Sequence, residues 1–144
     1  MVSVDQLSVL LENQKGALAA VCSILGDEGY NIMALSIAEV DNFGVCRLIL
    51  DEVEDAAKLL RSRGYTARIS PVLIAEVPDR PSGLADVLSI VRREDISLKY
   101  LYSFVRAVGK NALLVFNFPN LQRAANALEE QGVRLLSLDE VPIR

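Results

Sequence analysis

The sequence predicts an α+β fold built from one unit used twice, and three observations carry that prediction. Lys15–Leu25 aligns without gaps on Pro81–Val91, pairing Leu18 with Leu84, Ala19 with Ala85, Val21 with Val87, Ser23 with Ser89 and Ile24 with Ile90. The alignment continues: Asn31-Ile32 falls on Ser97-Leu98 and, after a short insertion in the second copy, Arg63-Gly64-Tyr65 falls on Gln131-Gly132-Val133. Within each copy the apolar spacing alternates between strand and helix periods in the same order. The 144 residues therefore divide near residue 70, into residues 1–70 and 71–144. Units of roughly 70 residues bury proportionally little surface and often pack on a neighbour.

Leu7, Val9 and Leu11 alternate with Gln6, Ser8 and Leu10, which predicts a half-buried first strand. Leu18, Val21, Cys22 and Leu25 recur at i, i+3, i+4 and i+7, one face of a helix that Gly29 is placed to stop. A second strand covers residues 32–39, Asp41-Asn42-Phe43-Gly44 is a turn, and Val45–Leu50 is a third strand. Ala56, Leu59 and Leu60 mark a second helix ending at Gly64, and residues 65–70 form a fourth strand. The second copy repeats the series. Its strand Val72–Val77 precedes a helix carrying Leu84, Val87, Leu88 and Val91. Strands at 98–105 and 111–117 follow, then a helix with Leu121, Ala124, Ala125 and Leu128, and a last strand at 133–138.

The order strand-helix-strand-strand-helix-strand describes a ferredoxin-like sandwich, an antiparallel sheet with both helices on one face. On the second strand Met33, Leu35 and Ile37 alternate with Ile32, Ala34, Ser36 and Ala38, and neither side carries a charge. A sheet apolar on both faces needs cover on both, so the two copies are expected to pair, and two chains to pair as a homodimer.

Acidic residues number 19 and basic ones 15, a net charge of −4 that repels a phosphate backbone and argues against nucleic acid as the main partner. No apolar run is long enough to cross a bilayer, and residues 1–15 lack the pattern of a signal peptide, so a cytoplasmic location is expected. The chain has no histidine, which removes the commonest general base and metal ligand. Cys22 and Cys46 stand apart in the sequence, each in an apolar pattern, and are expected as small buried hydrophobes rather than a zinc or redox pair. Carboxylates are plentiful, but no pair has other catalytic parts around it. No cofactor, metal site or catalytic residue is expected.

Asn13-Gln14-Lys15-Gly16 sits where the first strand hands over to the first helix. The opening N–H groups of a helix lack internal partners and, with the helix dipole, attract an anion such as a carboxylate. Gly16 permits a tight turn and close approach of a ligand, and Asn13 has an oxygen to accept from an ammonium group. Asn31 opens the second strand and is placed at the same end of the sheet. Two readings stand for this loop: a plain strand-to-helix connection, or a seat for a zwitterion. In the second copy, Asp79-Arg80-Pro81-Ser82-Gly83 takes its place. Asp79 offers a charge to an ammonium, Arg80 a pairing with a neighbouring acid, Pro81 a preset turn and Ser82 a helix cap, while Ser97 stands at the Asn31 position.

On these residues the chain resembles the ACT domain. Glu12-Asn13-Gln14-Lys15-Gly16-Ala17-Leu18 with Gly29-Tyr30-Asn31-Ile32, and Asp79-Arg80-Pro81-Ser82-Gly83-Leu84-Ala85, resemble the opening motifs of that family, twice over and across nearly the whole chain. The resemblance implies the fold already read from periodicity and a regulatory role in sensing amino acids at interfaces between ACT units. The Glu-Asn-X-X-Gly and Asn-Ile elements are similar to those of the serine-binding regulatory domain of phosphoglycerate dehydrogenase, whose effector-contacting asparagines map onto Asn13 and Asn31. Leu11 stands where that domain has a histidine, and Lys15 replaces the usual proline.

The expected function is a non-catalytic regulatory protein that binds a small ligand, an amino acid, near the first strand–helix loop. The expected ligand-binding residues are Asn13, Gln14, Lys15, Gly16, Ala17, Leu18, Asn31 and Ile32, with Asp79, Arg80, Pro81, Ser82, Gly83, Leu84, Ser97 and Leu98 in the second copy. One alternative is the regulatory subunit of an amino-acid biosynthetic enzyme with no ligand of its own. Another is an RNA-binding module, because Tyr100, Tyr102 and Phe104 share one side of a strand.

Overall fold

The computed structural model describes residues 2–12, 14–104 and 111–141. The chain divides into two compact units, Asp5–Ser70 and the stretch from Pro71 onward with the chain start up to Val4. In the first unit, β1 (Val4–Glu12), α1 (Ala17–Asp27), β2 (Ile32–Val40), β3 (Phe43–Leu50) and α2 (Val53–Ser62) lead into β4 (Ala67–Pro78). The strands lie in the order β2-β3-β1-β4, and β3 runs antiparallel to both its neighbours. Leu7, Val9 and Leu11 bury their side chains in one cluster with Val21 and Leu25 of α1 and Ala56, Ala57 and Leu60 of α2. Both helices thus cover the face that β1 turns towards them through every second residue.

The second unit continues with α3 (Gly83–Arg93), β5 (Tyr100–Ser103), β6 (Asn111–Asn117), α4 (Leu121–Glu130) and β7 (Arg134–Leu136). Its strand order, β5-β6-β4-β7, repeats that of the first unit, and all three pairings are antiparallel. Leu73, Ala75 and Val77 of β4 join Val87 and Val91 of α3, Ala124, Ala125 and Leu128 of α4, and Phe116 in a core of its own. Phe116 and Phe118 stack at 5.8 Å between ring centroids.

The elements differ from expectation where a single residue redirects the backbone. The strands expected at 65–70 and 72–77 form one strand, β4, because Pro71 suits an extended backbone and only removes one donor. A bulge between Ile32 and Ala34 sets Met33 as an extra residue, so Ile32 packs on the core together with Leu35 instead of alternating with it. Leu84 was expected on the buried face of α3 but is 39 % exposed in the first turn, and Ile90 is buried instead. The last strand stops at Leu136 because Ser137 and Glu140 form a capping box around a short 3-10 turn.

Helix ends follow one rule with one exception. After α1, Gly29 takes a positive φ, and the Tyr30 N–H reaches back to the Leu25 carbonyl at 3.0 Å. Gly64 and Gly132 end α2 and α4 in the same way. After α3 the same position holds Asp95, with φ 52. A side chain in that region is disfavoured, so Asp95→Gly is expected to raise stability by about 0.5–1 kcal/mol. A urea titration that shows an unchanged or lower midpoint refutes this.

Candidate functional site

A cleft of about 440 Å³ opens where β1 meets α1. One wall is the end of β1, from Leu10 to Glu12, with Phe43 beside it. The floor is the Gln14–Ala17 loop with Ala20, and the far wall is Arg63–Thr66, the α2–β4 connection. That connection sits here because β4 lies next to β1; the Leu10 N–H donates to the Thr66 carbonyl at 3.0 Å. Leu10 and Phe43 are large apolar residues left 41 % and 45 % exposed. Both therefore leave apolar surface outside the core.

The loop is built from local bonds. The Gln14 N–H donates to the Glu12 carbonyl at 2.7 Å, the Ala17 N–H to the Gln14 carbonyl at 3.2 Å, and the Gln14 amide to the Glu12 carboxylate at 3.0 Å. Gly16 is the N-cap of α1, at φ 85, and among the described residues no side-chain cap bond is made to that helix. Among the described residues, a Cβ added at Gly16 would meet nothing within 4 Å. The start of α1 favours an anion, Lys15 and Arg63 add positive charge, and Glu12 adds a carboxylate. The cleft thus offers ionic partners to both ends of a zwitterion, and apolar surface on the sheet face that carries Glu12. Among the expected residues, Gln14, Lys15, Gly16 and Ala17 line it and Leu18 does not; Asn13 lies outside the described residues.

Asn31 and Ile32 are not at this end of the sheet, contrary to expectation. Glu12 pairs with Phe43 at one end of β3, whereas Ile32 pairs with Leu50 at the other. At about 3.3 Å per residue, the eight residues of β3 separate them by roughly 20 Å. The cause is topological: α1 starts at the cleft and carries the chain to the opposite end before β2 begins. There the Asn31 N–H donates to the Asp51 carboxylate at 3.2 Å. Ser97 and Leu98 are displaced likewise, because Pro78 pairs with Asn111 and Tyr100 with Asn117.

The second unit carries a cleft of about 360 Å³ in the corresponding place. Arg80 and Gly83 line it; Asp79, Pro81, Ser82 and Leu84 do not. Ser82 occupies the N-cap position of α3 but makes no cap bond, because its hydroxyl accepts from the Arg80 guanidinium. Arg80 also pairs with Asp86 at 2.7 Å, as its neighbourhood suggested. Arg134 bridges Glu76 at 3.2 Å and Glu140 at 3.3 Å, and the Asn111 amide donates to Glu76 at 3.1 Å. The Ser137 backbone N–H and hydroxyl, and then Arg134, hold the Glu140 carboxyl below its ordinary value. Hydrogen bonds to Glu140 and Glu76 raise the Arg134 guanidinium above its own.

Other candidates fare less well. Tyr102 is 8 % exposed, so it cannot join Tyr100 in an open platform for stacked bases, and the RNA reading loses its support. Burial, and next the neighbouring Cys22, push the Cys46 thiol up to about 12. The two cysteines, apart in sequence, are therefore close in the fold. Burial raises the Cys22 thiol as well, and neither has thiolate character. Among the described residues no cluster of three or more His, Cys, Asp or Glu is arranged to hold a metal, and no helix is long and apolar enough to cross a membrane.

Residues 2–140 match the family model described as an ACT domain pair. The crystal structure of protein BT0572 from Bacteroides thetaiotaomicron is 33 % identical, with a TM-score of 0.87 over 94 % of this chain and 92 % of that one. The acetolactate synthase small subunit of Haemophilus influenzae is 30 % identical over 108 residues, which is 73 % of this chain and 57 % of that relative. The chain thus spans little more than half the length of this curated relative. The regulatory subunit of aspartate kinase from Thermus thermophilus shares the fold, with a TM-score of 0.65 at 13 % identity, over 89 % of this chain and 92 % of that one.

Proposed function

The chain belongs to the ACT domain pair family, and from that premise we propose that it is a non-catalytic regulatory protein that binds an amino acid at the β1–α1 cleft of its first unit. One observation carries this reading: a helix start with glycine at its N-cap opens into a cleft that also holds a carboxylate and two exposed apolar side chains, Leu10 and Phe43. The ligand carboxylate lies at the start of α1 near Lys15, its ammonium near Glu12, and its side chain against Leu10 and Phe43. That wall favours an apolar side chain over the hydroxymethyl of serine. We further propose that the protein works as a homodimer with the cleft at an ACT–ACT interface. Asn31, at the far end of its own unit, then reaches a ligand only from the other copy.

A regulatory role requires that the ligand favour one arrangement of units over another, and so change what a partner sees. The similarity to an acetolactate synthase small subunit supports a second, compatible reading: the partner is an amino-acid biosynthetic enzyme. A pull-down is expected to recover one metabolic enzyme in stoichiometric amount; co-elution with nothing counts against that partner.

Ligand binding is tested by a thermal-shift screen of the twenty amino acids at millimolar concentration, followed by calorimetry. No shift with any of them sinks the proposal. Phe43→Asp is expected to weaken binding by about 10- to 100-fold, since a buried aromatic contributes about 1.5–3 kcal/mol. The unliganded melting temperature is expected to move by less than about 2 °C, because Phe43 belongs to neither core. Unchanged affinity in Phe43→Asp places the ligand elsewhere.

A further inference from the structure

The two clefts occupy equivalent positions in a repeated unit, yet their walls have different chemistry. Three equivalent wall positions decide the matter. Under the alignment that sets Lys15 on Pro81, Leu10 falls on Glu76. Phe43, opposite Glu12, falls on Asn111, opposite Pro78. Thr66 falls on Arg134 in the repeat of the helix–strand connection, and in both units this residue bonds or pairs with the strand residue across from it. The first unit thus presents Leu10, Phe43 and Thr66 where the second presents Glu76, Asn111 and Arg134.

Asn111 and Arg134 both bond to Glu76. Glu76 accepts from Asn111 at 3.1 Å and from Arg134 at 3.2 Å. At the mouth, Arg80 holds both Ser82 and Asp86 across the first turn of α3. The strand end also presses on the helix start: a Cβ at Gly83 would lie 1.9 Å from the Pro78 carbonyl oxygen, whereas the residue that aligns with it in the first unit, Ala17, carries a Cβ. Resting on the amino-acid reading above, we propose that the two copies have divided their labour: the first unit's cleft takes the ligand, and the second unit's cleft is held by the chain's own ion pairs and takes none.

The physical reason is competition. A ligand carboxylate entering the second cleft competes with Asp86 for Arg80, and its ammonium competes with Arg134 for Glu76. The internal partners are tethered, so their effective concentration is at least millimolar. A free amino acid at millimolar concentration gains little by replacing them. Its side chain then meets a hydrogen-bonded acid and amide in place of Leu10 and Phe43, and desolvating those without a new partner is unfavourable.

The test is calorimetry on the full chain with whichever amino acid gives the largest thermal shift. The expected result is no more than one ligand per chain. Leu10→Glu, which gives the first cleft the second cleft's residue, is expected to weaken binding at least about tenfold. Asp86→Asn in the second cleft is expected to leave affinity within about twofold. Leu10 is 41 % exposed, so the variant is expected to stay folded; if its melting temperature falls, Phe43→Asp serves in its place. Two ligands per chain, or a loss of affinity in Asp86→Asn without one in the first-cleft variants, overturns the division of labour and leaves amino-acid binding intact. Absence of any thermal shift refutes the binding reading and this proposal with it, and that outcome is distinct from two equivalents bound.

Discussion

Replacing Gly83 with alanine is expected to destabilise the second unit by at least about 3 kcal/mol, towards or beyond the upper end of the range for overpacking. The added methyl would sit 1.9 Å from the Pro78 carbonyl oxygen and 3.1 Å from its carbonyl carbon. Those are backbone atoms, and no rotamer change relieves the clash. The chain around them is tied as well: the Arg80 N–H donates to the Pro78 carbonyl at 3.0 Å, and the Gly83 N–H to the Arg80 carbonyl at 2.9 Å. Moving Gly83 away therefore breaks the turn that starts α3, and Val77, 3.6 Å from the same point, belongs to the core. For a domain whose total stability is of the order of 5–15 kcal/mol, this is a large fraction. The comparison is Gly16→Ala in the first unit, where no described atom lies within 4 Å of the added methyl and the φ of 85 opposes a side chain. That substitution is expected to cost about 1–2 kcal/mol. Urea unfolding of the two variants separates them; a Gly83→Ala midpoint as high as that of Gly16→Ala contradicts the close approach.

How much of this was legible in the sequence depends on the range of the signal. Strand and helix periods, and the repeat that displays them twice, are local patterns, so Leu7, Val9 and Leu11 or Ala124, Ala125 and Leu128 announce their buried faces without knowledge of the fold. The first-loop residues Gln14 to Ala17 were legible for the same reason, because a glycine between a strand and a helix marks a helix start. The cleft walls were not. Leu10, Phe43 and Thr66 come from β1, β3 and the α2–β4 connection, distant in the chain, and only the placement of β3 and β4 on either side of β1 brings them together. Asn31 was misplaced because a motif read along the chain hides direction: α1 separates its ends by eleven residues, about 16 Å at 1.5 Å each. The expected cap at Ser82 failed because an arginine two residues earlier competes for the same hydroxyl, and local propensity does not rank such rivals.

Phe116→Ala is expected to cost about 3–5 kcal/mol, the usual range for emptying the site of a fully buried aromatic. Phe116 has no exposed surface, stands on β6 opposite Leu73, and stacks on Phe118 at 5.8 Å. Its removal leaves a void between the sheet and helices α3 and α4, whose apolar residues share its cluster. Backbone pairing on both sides of β6 resists the collapse that would refill that void. Phe43 is the instructive contrast, the same residue type 45 % exposed at a cleft mouth. Its loss is expected to leave the urea midpoint nearly unchanged and to weaken ligand binding, whereas the loss of Phe116 lowers the midpoint first and affects ligand only through the unfolded fraction. Measuring stability and affinity for both variants therefore separates fold from function at two phenylalanines. If Phe43→Asp lost stability as Phe116→Ala does, the exposed wall would be a piece of core, and the case for a ligand in the first cleft would fall with it.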